Sequence, residues 1–198
     1  MSKGSDTKEF ILEKSARLFN LNGYASCSMK DIMDATGLQK GGIYNHFKNK
    51  EDIAVQSFEY SLKAIHNRFR ERLDKDRTNA EKLFSVIEVL GDFYENPVIE
   101  GGCPVFNTAV VNSDVNPVLK EKAREGFEIL IRYAEKKIED GIESGEFQRI
   151  DNIRSLASLL LMTVEGGVVM SKTFGQKQYT EDAVSHCKEI IKEKLIIK

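Results

Sequence analysis

The sequence predicts an all-α fold of about nine helices. Three observations support this prediction. The chain of 198 residues contains only three prolines. Apolar residues make up 41% and charged residues 30% of it, a balance typical of a folded globular chain. Apolar side chains also recur every three or four residues along most of its length, which is the spacing of one helix face.

We expect the helices to form two domains. The first three would make a helix-turn-helix DNA-binding domain over residues 1–50. The other six would make a larger ligand-binding and dimerisation domain over residues 51–198. No flexible linker separates the two domains, and we find neither an internal repeat nor a low-complexity segment.

The second helix has clear signals at both ends. Ser28, followed by Asp31 three residues later, predicts a capping box at its start. Gly37 permits a tight turn at its end. The first helix starts near residue 6, and Gly23 suits the left-handed position that ends it. These signals predict two short helices that cross at a glycine turn.

The third helix is the most informative element for function. Ile43 and Phe47, four residues apart, are expected to anchor it inward. A rigid helix that presents hydroxyl, amide, imidazole and ammonium groups can enter the major groove of DNA. The polar side chains left on its free side or edges are those of Lys40, Tyr44, Asn45 and His46.

The larger domain is expected to be helical over residues 50–76, 79–95, a short stretch after Gly102, 117–144, 151–174 and 180–198. Asp151 and Thr180 are the expected caps of the last two helices. Pro117 occupies the first position of its helix, where proline is favoured.

The charge distribution is uneven. Residues 1–50 contain eight lysines and arginines against five aspartates and glutamates, whereas the whole chain has a net charge of −2. A basic end on an acidic body indicates a polyanionic partner at that end.

The remaining composition indicates a cytoplasmic protein without a metal or cofactor. Cys27, Cys103 and Cys187 are too widely spaced for a metal cluster or a disulfide framework. The amino terminus has no signal-peptide core. The longest apolar run, residues 156–164, is well short of the roughly 20 residues that span a bilayer, so we expect no membrane partner.

Residues 7–55 resemble the amino-terminal domain of TetR-family transcriptional regulators. One position departs from the family pattern: Gly42 stands where the family more often has a hydroxyl residue that can bind a phosphate. The residues that carry the resemblance are Ile11, Leu12, Ala16, Leu18, Phe19, Gly23, Tyr24, Ile32, Gly37, Gly41-Gly42-Ile43-Tyr44-Asn45-His46-Phe47 and Lys50-Glu51-Asp52.

The resemblance implies a homodimer that binds a palindromic operator in double-stranded DNA and releases it when a small-molecule effector enters the larger domain. By position, Lys40, Gly41, Tyr44 and His46 fall where the family's recognition helix meets DNA. Phosphate contacts fall to Ser28, Tyr44 and Lys50. Asn45 could read adenine if it points outward.

The resemblance also implies that the last two helices pair with those of a second subunit as a four-helix bundle. The sequence supports this interpretation with an apolar stripe on the final helix and with Gly166-Gly167, which would permit a close helix approach. The alternative is that both features pack within their own subunit. The stripe consists of Val184, Cys187, Ile191 and Leu195.

Candidate effector-binding residues lie in the central helices. Asn107 is a candidate hydrogen-bond donor to the ligand. Glu165 lies inside an apolar stretch, where an unpaired carboxylate pays a desolvation cost. Three alternatives are open for it: it binds a polar ligand group, pairs across an interface or faces solvent. The full set is Phe93, Cys103, Phe106, Asn107, Phe127, Met162 and Glu165, with Phe84, Tyr94 and Tyr133 as further aromatic candidates; core packing is the alternative for each aromatic.

Three other functions were weighed. Cys103 precedes a proline at an expected helix start, where the helix dipole could lower its pKa and make it a sensor thiol for electrophiles or oxidants. The alternative for Cys103 is a small buried residue. A helical protein-binding adaptor is a further possibility. An enzyme is not expected, because the histidines are isolated and no phosphate-binding glycine loop or metal-ligand spacing occurs.

Overall fold

The computed structural model describes residues 3–75, 77–112 and 116–197. Within these ranges the chain forms nine helices and no strand, and a single antiparallel bridge joins Phe147 to Ile196. The all-α class is confirmed. The helices are α1 (Lys3–Asn22), α2 (Met29–Thr36), α3 (Lys40–Tyr44), α4 (Lys50–Leu73), α5 (Asn79–Gly91), α6 (Pro104–Asn112), α7 (Pro117–Glu143), α8 (Ile153–Phe174) and α9 (Gln178–Lys194).

The chain divides into two compact units. Unit 1 comprises residues 1–65 and 98–126, and unit 2 comprises residues 66–97 and 127–198. Helices α4 and α7 therefore contribute to both units. This division differs from the boundary expected at residue 50, which stays a prediction about where DNA binding and ligand binding are separated.

Unit 1 is built on one apolar cluster. Its members are buried, and they come from α1, α2, α3, the turn after α3 and α4 in that order: Ile11, Ile32, Ile43, Phe47 and Ile53. Partly buried Leu12, Leu18 and Leu38 are among the side chains packed around it. The predicted inward anchors of α3 are therefore confirmed as core residues.

The local signals at the ends of α2 are also confirmed. Ser28 and Asp31 form both halves of the capping box. Gly37 has φ 69° and donates its N–H to the carbonyl of Met33 at 2.8 Å. Most other residues would be strained at this positive φ, so the turn between α2 and α3 favours glycine.

Polar contacts attach α6 and the segment before it to α1 within unit 1. The Asn20 side-chain amide donates to the carbonyls of Glu100 at 2.9 Å and Gly102 at 3.1 Å. In turn, the Asn107 amide donates to Asn20 Oδ1 at 3.0 Å. An ion pair between Arg17 and Glu100 lies beside them.

Two expected helix caps are wrong by a few residues. Asn152, not Asp151, caps α8, because its Oδ1 accepts the backbone N–H of Ser155 at 2.9 Å. Thr180 lies inside α9, which begins at Gln178. Its buried hydroxyl bonds to Ser171 Oγ at 2.8 Å and so joins α9 to α8.

In unit 2, α8 packs against α5 and α9. The apolar stripe of α9 is used inside this unit: Cys187, Ile191 and Leu195 are buried. The expectation that this stripe remains for a second subunit is therefore wrong. Gly167 allows the close approach, because an added Cβ would lie 2.7 Å from Ala183 Cβ.

Helix α8 is, among the described helices, the one with the length and apolar composition that a membrane span would need. It carries the buried carboxyl of Glu165. It packs against α5 and α9, which also pack against each other.

A glycine in α7 provides a test of packing in unit 2. An added Cβ at Gly141 would overlap the buried Phe147 ring. We expect Gly141→Ala to lower the free energy of unfolding by about 1–3 kcal/mol, as overpacking usually does. Urea denaturation followed by circular dichroism measures this change.

The matched control is Gly42→Ala in α3, where the nearest atom to the new Cβ is Leu38 Cβ at 3.9 Å. The control should leave stability unchanged or raise it by up to about 1 kcal/mol through helix propensity. Equal effects of the two substitutions would contradict the proposed packing.

Candidate nucleic-acid interface and effector cleft

The free side of α3 forms what we call the recognition face, defined as Lys40, Gly41, Tyr44 and Asn45. All four residues are exposed, and Tyr44 retains 37% of its accessible surface. Lys40 Nζ lies 5.7 Å from the centroid of the Tyr44 ring, within the range of a cation–π contact. His46 is half-buried at the edge of this face.

The recognition face suits contact with a nucleic acid. Its ammonium and amide groups match the acceptors and donors of base edges in the major groove. An added Cβ at Gly41 would meet no atom within 4 Å, so a DNA strand can approach the main chain there. The burial of Ile43 and Phe47 fixes which side of α3 is presented.

At the start of α2 a carboxylate lies beside Ser28, a predicted phosphate contact. The N–H and Oγ of Ser28 donate to Asp31 Oδ2 at 2.6 and 2.7 Å within the capping box. The hydrogen bonds from the Ser28 hydroxyl and backbone lower the pKa of Asp31, so the carboxylate is charged at neutral pH. A phosphate contact through Ser28 stays a prediction, and it would have to tolerate this charge.

Lys50 has a structural contact that the sequence did not reveal. Its Nζ donates to the carbonyls of Tyr24 at 2.8 Å and Cys27 at 2.5 Å. The same atom lies 4.2 Å from the centroid of the Tyr24 ring. Lys50 therefore ties the turn between α1 and α2 to the start of α4, and its expected phosphate contact stays a prediction.

Lys48 is a further cation near α3, outside the set predicted from the sequence. It is exposed, and it forms no ion pair with any described residue. It follows Phe47 directly, immediately after the turn that ends α3. The sequence signal that could have identified Lys48 is its position directly after Phe47, a buried anchor of α3.

Unit 2 contains an open cleft of about 840 Å³, which we call the cationic cleft. Small-molecule sites span roughly 300–1,000 Å³, so its size suits an organic ligand. Residues from α4, α5 and α7 and from the segment after α4 line it: His66, Arg70, Leu73, Asp74, Lys82, Glu128, Ile129, Arg132, Tyr133, Lys136 and Lys137.

The apolar part of the cationic cleft is held rigidly. The rings of Phe69 and Tyr133 stack at 4.7 Å between centroids, and Phe69 is fully buried. The Tyr133 hydroxyl is hydrogen-bonded to His66 Nδ1. Burial raises the pKa of Tyr133, so the hydroxyl stays protonated and can donate in this bond.

The seven effector-binding residues predicted from the sequence do not line the cationic cleft, although the further candidate Tyr133 does. Phe93 is fully buried, and Phe106 and Phe127 are half-buried. Asn107 already donates to Asn20 and to the Gly101 carbonyl, while Met162 is 63% exposed on α8. Their ligand contacts stay predictions.

Burial argues against one predicted role of each of two candidates. Cys103, at the start of α6, is 2% exposed, so an electrophile in solution cannot reach its thiol in this conformation. The sensor-thiol alternative is therefore not favoured. Glu165 is also 2% exposed, which contradicts the reading in which it faces solvent.

Metal binding finds no support in the described ranges. They contain no group of three or more histidine, cysteine, aspartate or glutamate side chains that could hold an ion.

Comparison with known proteins covers both ends of the chain. The family described as "Bacterial regulatory proteins, tetR family" matches residues 11–56. The family described as "Tetracyclin repressor-like, C-terminal domain" matches residues 79–187.

Individual relatives agree with these matches. A TetR transcriptional regulator from Chloroflexus aurantiacus is 33% identical, with full coverage of both chains and a TM-score of 0.95. A TetR-family regulator from Cytophaga hutchinsonii is 27% identical, with 100% and 99% coverage and a TM-score of 0.91. The Bacillus subtilis HTH-type regulator YxaF is 26% identical over 178 residues, which are 87% of this chain and 88% of the relative.

The contacts of Lys50 yield a stability prediction. Lys50→Ala removes two charge-assisted hydrogen bonds to main-chain carbonyls and should lower the free energy of unfolding by roughly 1–2 kcal/mol in the absence of DNA. Urea denaturation of the full chain measures the loss. Lys48→Ala, which removes an exposed charge two residues earlier, is the control and should change stability by less than about 0.5 kcal/mol. Equal stability of the two variants would show that the Lys50 contacts contribute nothing.

Proposed function

The chain belongs to the TetR family of bacterial regulatory proteins and is a DNA-binding transcriptional regulator, and on this premise we propose that it is a homodimeric repressor. It binds a palindromic operator and releases it when a small-molecule effector occupies unit 2. The observation that carries the proposal is the exposed recognition face on a helix whose opposite side is buried. Since the operator is chromosomal DNA, the protein acts in the cytoplasm.

The recognition face reads the operator. Lys40 donates to guanine acceptors, and Asn45, which is exposed as this role requires, pairs with adenine. Tyr44 and Lys48 bind phosphates and fix the register of α3 on the duplex. His46, half-buried at the edge, contributes from the side.

Two copies are needed because reading a palindrome requires two recognition helices about 34 Å apart, or a multiple of that distance. The dimer face lies on α8. Large apolar side chains are exposed along it at helical spacing, around Gly166, where an added Cβ would meet nothing within 4 Å. These exposed residues are Leu159, Met162, Val169, Met170 and Phe174.

A contiguous exposed apolar stripe on a folded chain marks an interaction surface. The outer side of α9 completes the face, while its apolar side packs against its own subunit. The bundle of two helices from each subunit is thus held mainly by α8.

The DNA-binding proposal predicts losses on the recognition face. Lys40→Ala and Tyr44→Ala should each weaken binding to a duplex from upstream of the protein's own gene by about 1–3 kcal/mol, because each removes a base or phosphate contact. Fluorescence anisotropy at several salt concentrations measures the affinity. Lys120→Ala, an exposed lysine of α7, serves as the charge-matched control and should have no effect.

The wild-type affinity should also fall steeply with salt, since bound phosphates release counterions. If the upstream duplex binds no better than a scrambled one at equal salt, the repressor proposal is wrong. If both alanine variants bind DNA normally, a role for α3 in binding protein, as in an adaptor, gains support.

The dimer proposal predicts that Met162→Glu produces a folded monomer, because dimerisation would bury an unpaired carboxylate at a cost of several kcal/mol. Sedimentation velocity distinguishes the species, given a chain mass of 22.4 kDa. Val110→Glu on α6 is the control, since Val110 is 67% exposed and lies off the proposed face. A dimeric Met162→Glu variant would place the interface elsewhere, and a monomeric wild-type protein at micromolar concentration would end the homodimer proposal.

A further inference from the structure

We propose that the cationic cleft binds an organic anion, a molecule with an apolar body and an acidic head group, whose head is bound by Arg70 and Lys82. The inference rests on the proposed function, because it gives the chemical class of the effector that unit 2 receives. The site differs from the one predicted from the sequence, because the seven predicted effector-binding residues lie outside this cleft.

The first argument is the charge of the lining. Five lysines and arginines line the cationic cleft, against the two carboxylates of Asp74 and Glu128. The chain as a whole carries a net charge of −2, so the sign is reversed locally. A cleft lined by one sign of charge concentrates ligands of the opposite sign and repels those of its own.

Part of this charge is already compensated by the protein. Lys136 and Lys137 each lie 2.9 Å from Asp140. Arg132 Nη1 lies 3.8 Å from a carboxylate oxygen of Glu135. Of the two acids, Glu128 is held by Arg154 at 2.6 and 2.9 Å. Because these charged groups already have partners within the protein, other cations of the lining must bind the negative charge of the ligand.

The cations left for a ligand are Arg70 and Lys82. Neither forms an ion pair within the ranges that the structure describes. Arg70 belongs to α4 and Lys82 to the first turns of α5, so an acidic head between them would be bound from two elements. Asp74 lies one turn beyond Arg70 on the same chain segment. Because its carboxylate repels an acidic head group, the head group is placed toward Lys82.

The second argument is the apolar floor. Leu73 and Ile129 line the cleft beside Tyr133, whose ring is braced by Phe69. His66 lines the cleft next to this floor, and its Nδ1 is hydrogen-bonded to the Tyr133 hydroxyl. A volume of about 840 Å³ is far more than a bare inorganic anion requires. A ligand with an apolar body attached to its anionic head would fill this volume and pack against the apolar floor.

The experiment is isothermal titration calorimetry on the full chain with charge-matched probes. The anions are decanoate and 1-naphthoate. Their cationic counterparts are decyltrimethylammonium and 1-naphthylmethylammonium, and inorganic phosphate tests the head group alone. We expect at least one organic anion to bind, and neither the organic cations nor phosphate to do so.

Substitutions locate the site. Arg70→Gln and Lys82→Gln should each weaken anion binding roughly tenfold, because each removes a charge-assisted hydrogen bond. Lys63→Gln removes the same charge from α4 outside the lining and should leave binding unchanged. Thermal melting of each variant confirms that its fold is retained.

Three results would overturn the inference: no binding of either organic anion, equal binding of the matched cations, or an effect of Arg70→Gln and Lys82→Gln no larger than that of Lys63→Gln. Operator binding is measured in parallel. If the protein binds its operator but neither anion, the repressor proposal stands and the cleft inference fails. If an anion binds through Arg70 and Lys82 but operator binding is absent, the cleft inference stands and the repressor proposal fails.

Discussion

Burial of a single apolar cluster in unit 1 determines how α3 is presented. A helix of five residues is too short to be stable by itself, because nucleating a helix costs more than so few hydrogen bonds return. Ile43 and Phe47 hold it against Ile11, Ile32 and Ile53, so its polar side faces outward. The orientation of every proposed base contact therefore depends on hydrophobic packing behind the helix and not on the polar residues themselves.

The distribution of apolar side chains also explains why α9 packs inside unit 2 while α8 keeps an exposed apolar side. The final helix has a single apolar side, which its own subunit buries. Helix α8 is apolar nearly all round, so one side packs against α5 and α9 while the other remains exposed. Two adjacent glycines mark the two sides, since Gly167 contacts α9 and Gly166 faces open space.

Several features encoded by neighbouring residues could be predicted from the sequence, although the caps expected at Asp151 and Thr180 were wrong. The capping box at Ser28, the glycine turn at Gly37 and the anchors of α3 depend on side chains within a few positions of one another. Contacts between distant segments could not be predicted. Periodicity shows that Cys187 lies on an apolar stripe but not what covers it, and nothing local to Lys50 indicates that its ammonium reaches the carbonyls of Tyr24 and Cys27. The cationic cleft was missed for the same reason, because its lining is assembled from separate helices.

The amide contact between Asn20 and Asn107 has a consequence for protein engineering. Because α6 and the glycine-rich segment before it belong to the same compact unit as α1, a fragment cut after residue 50 would lose the carbonyls that satisfy Asn20 and the partner of Arg17. A chimeric regulator that joins this DNA-binding domain to the ligand-binding domain of another protein should therefore include residues 98–126 together with residues 1–65. A junction placed at residue 50 by linear sequence alone would divide unit 1 in two.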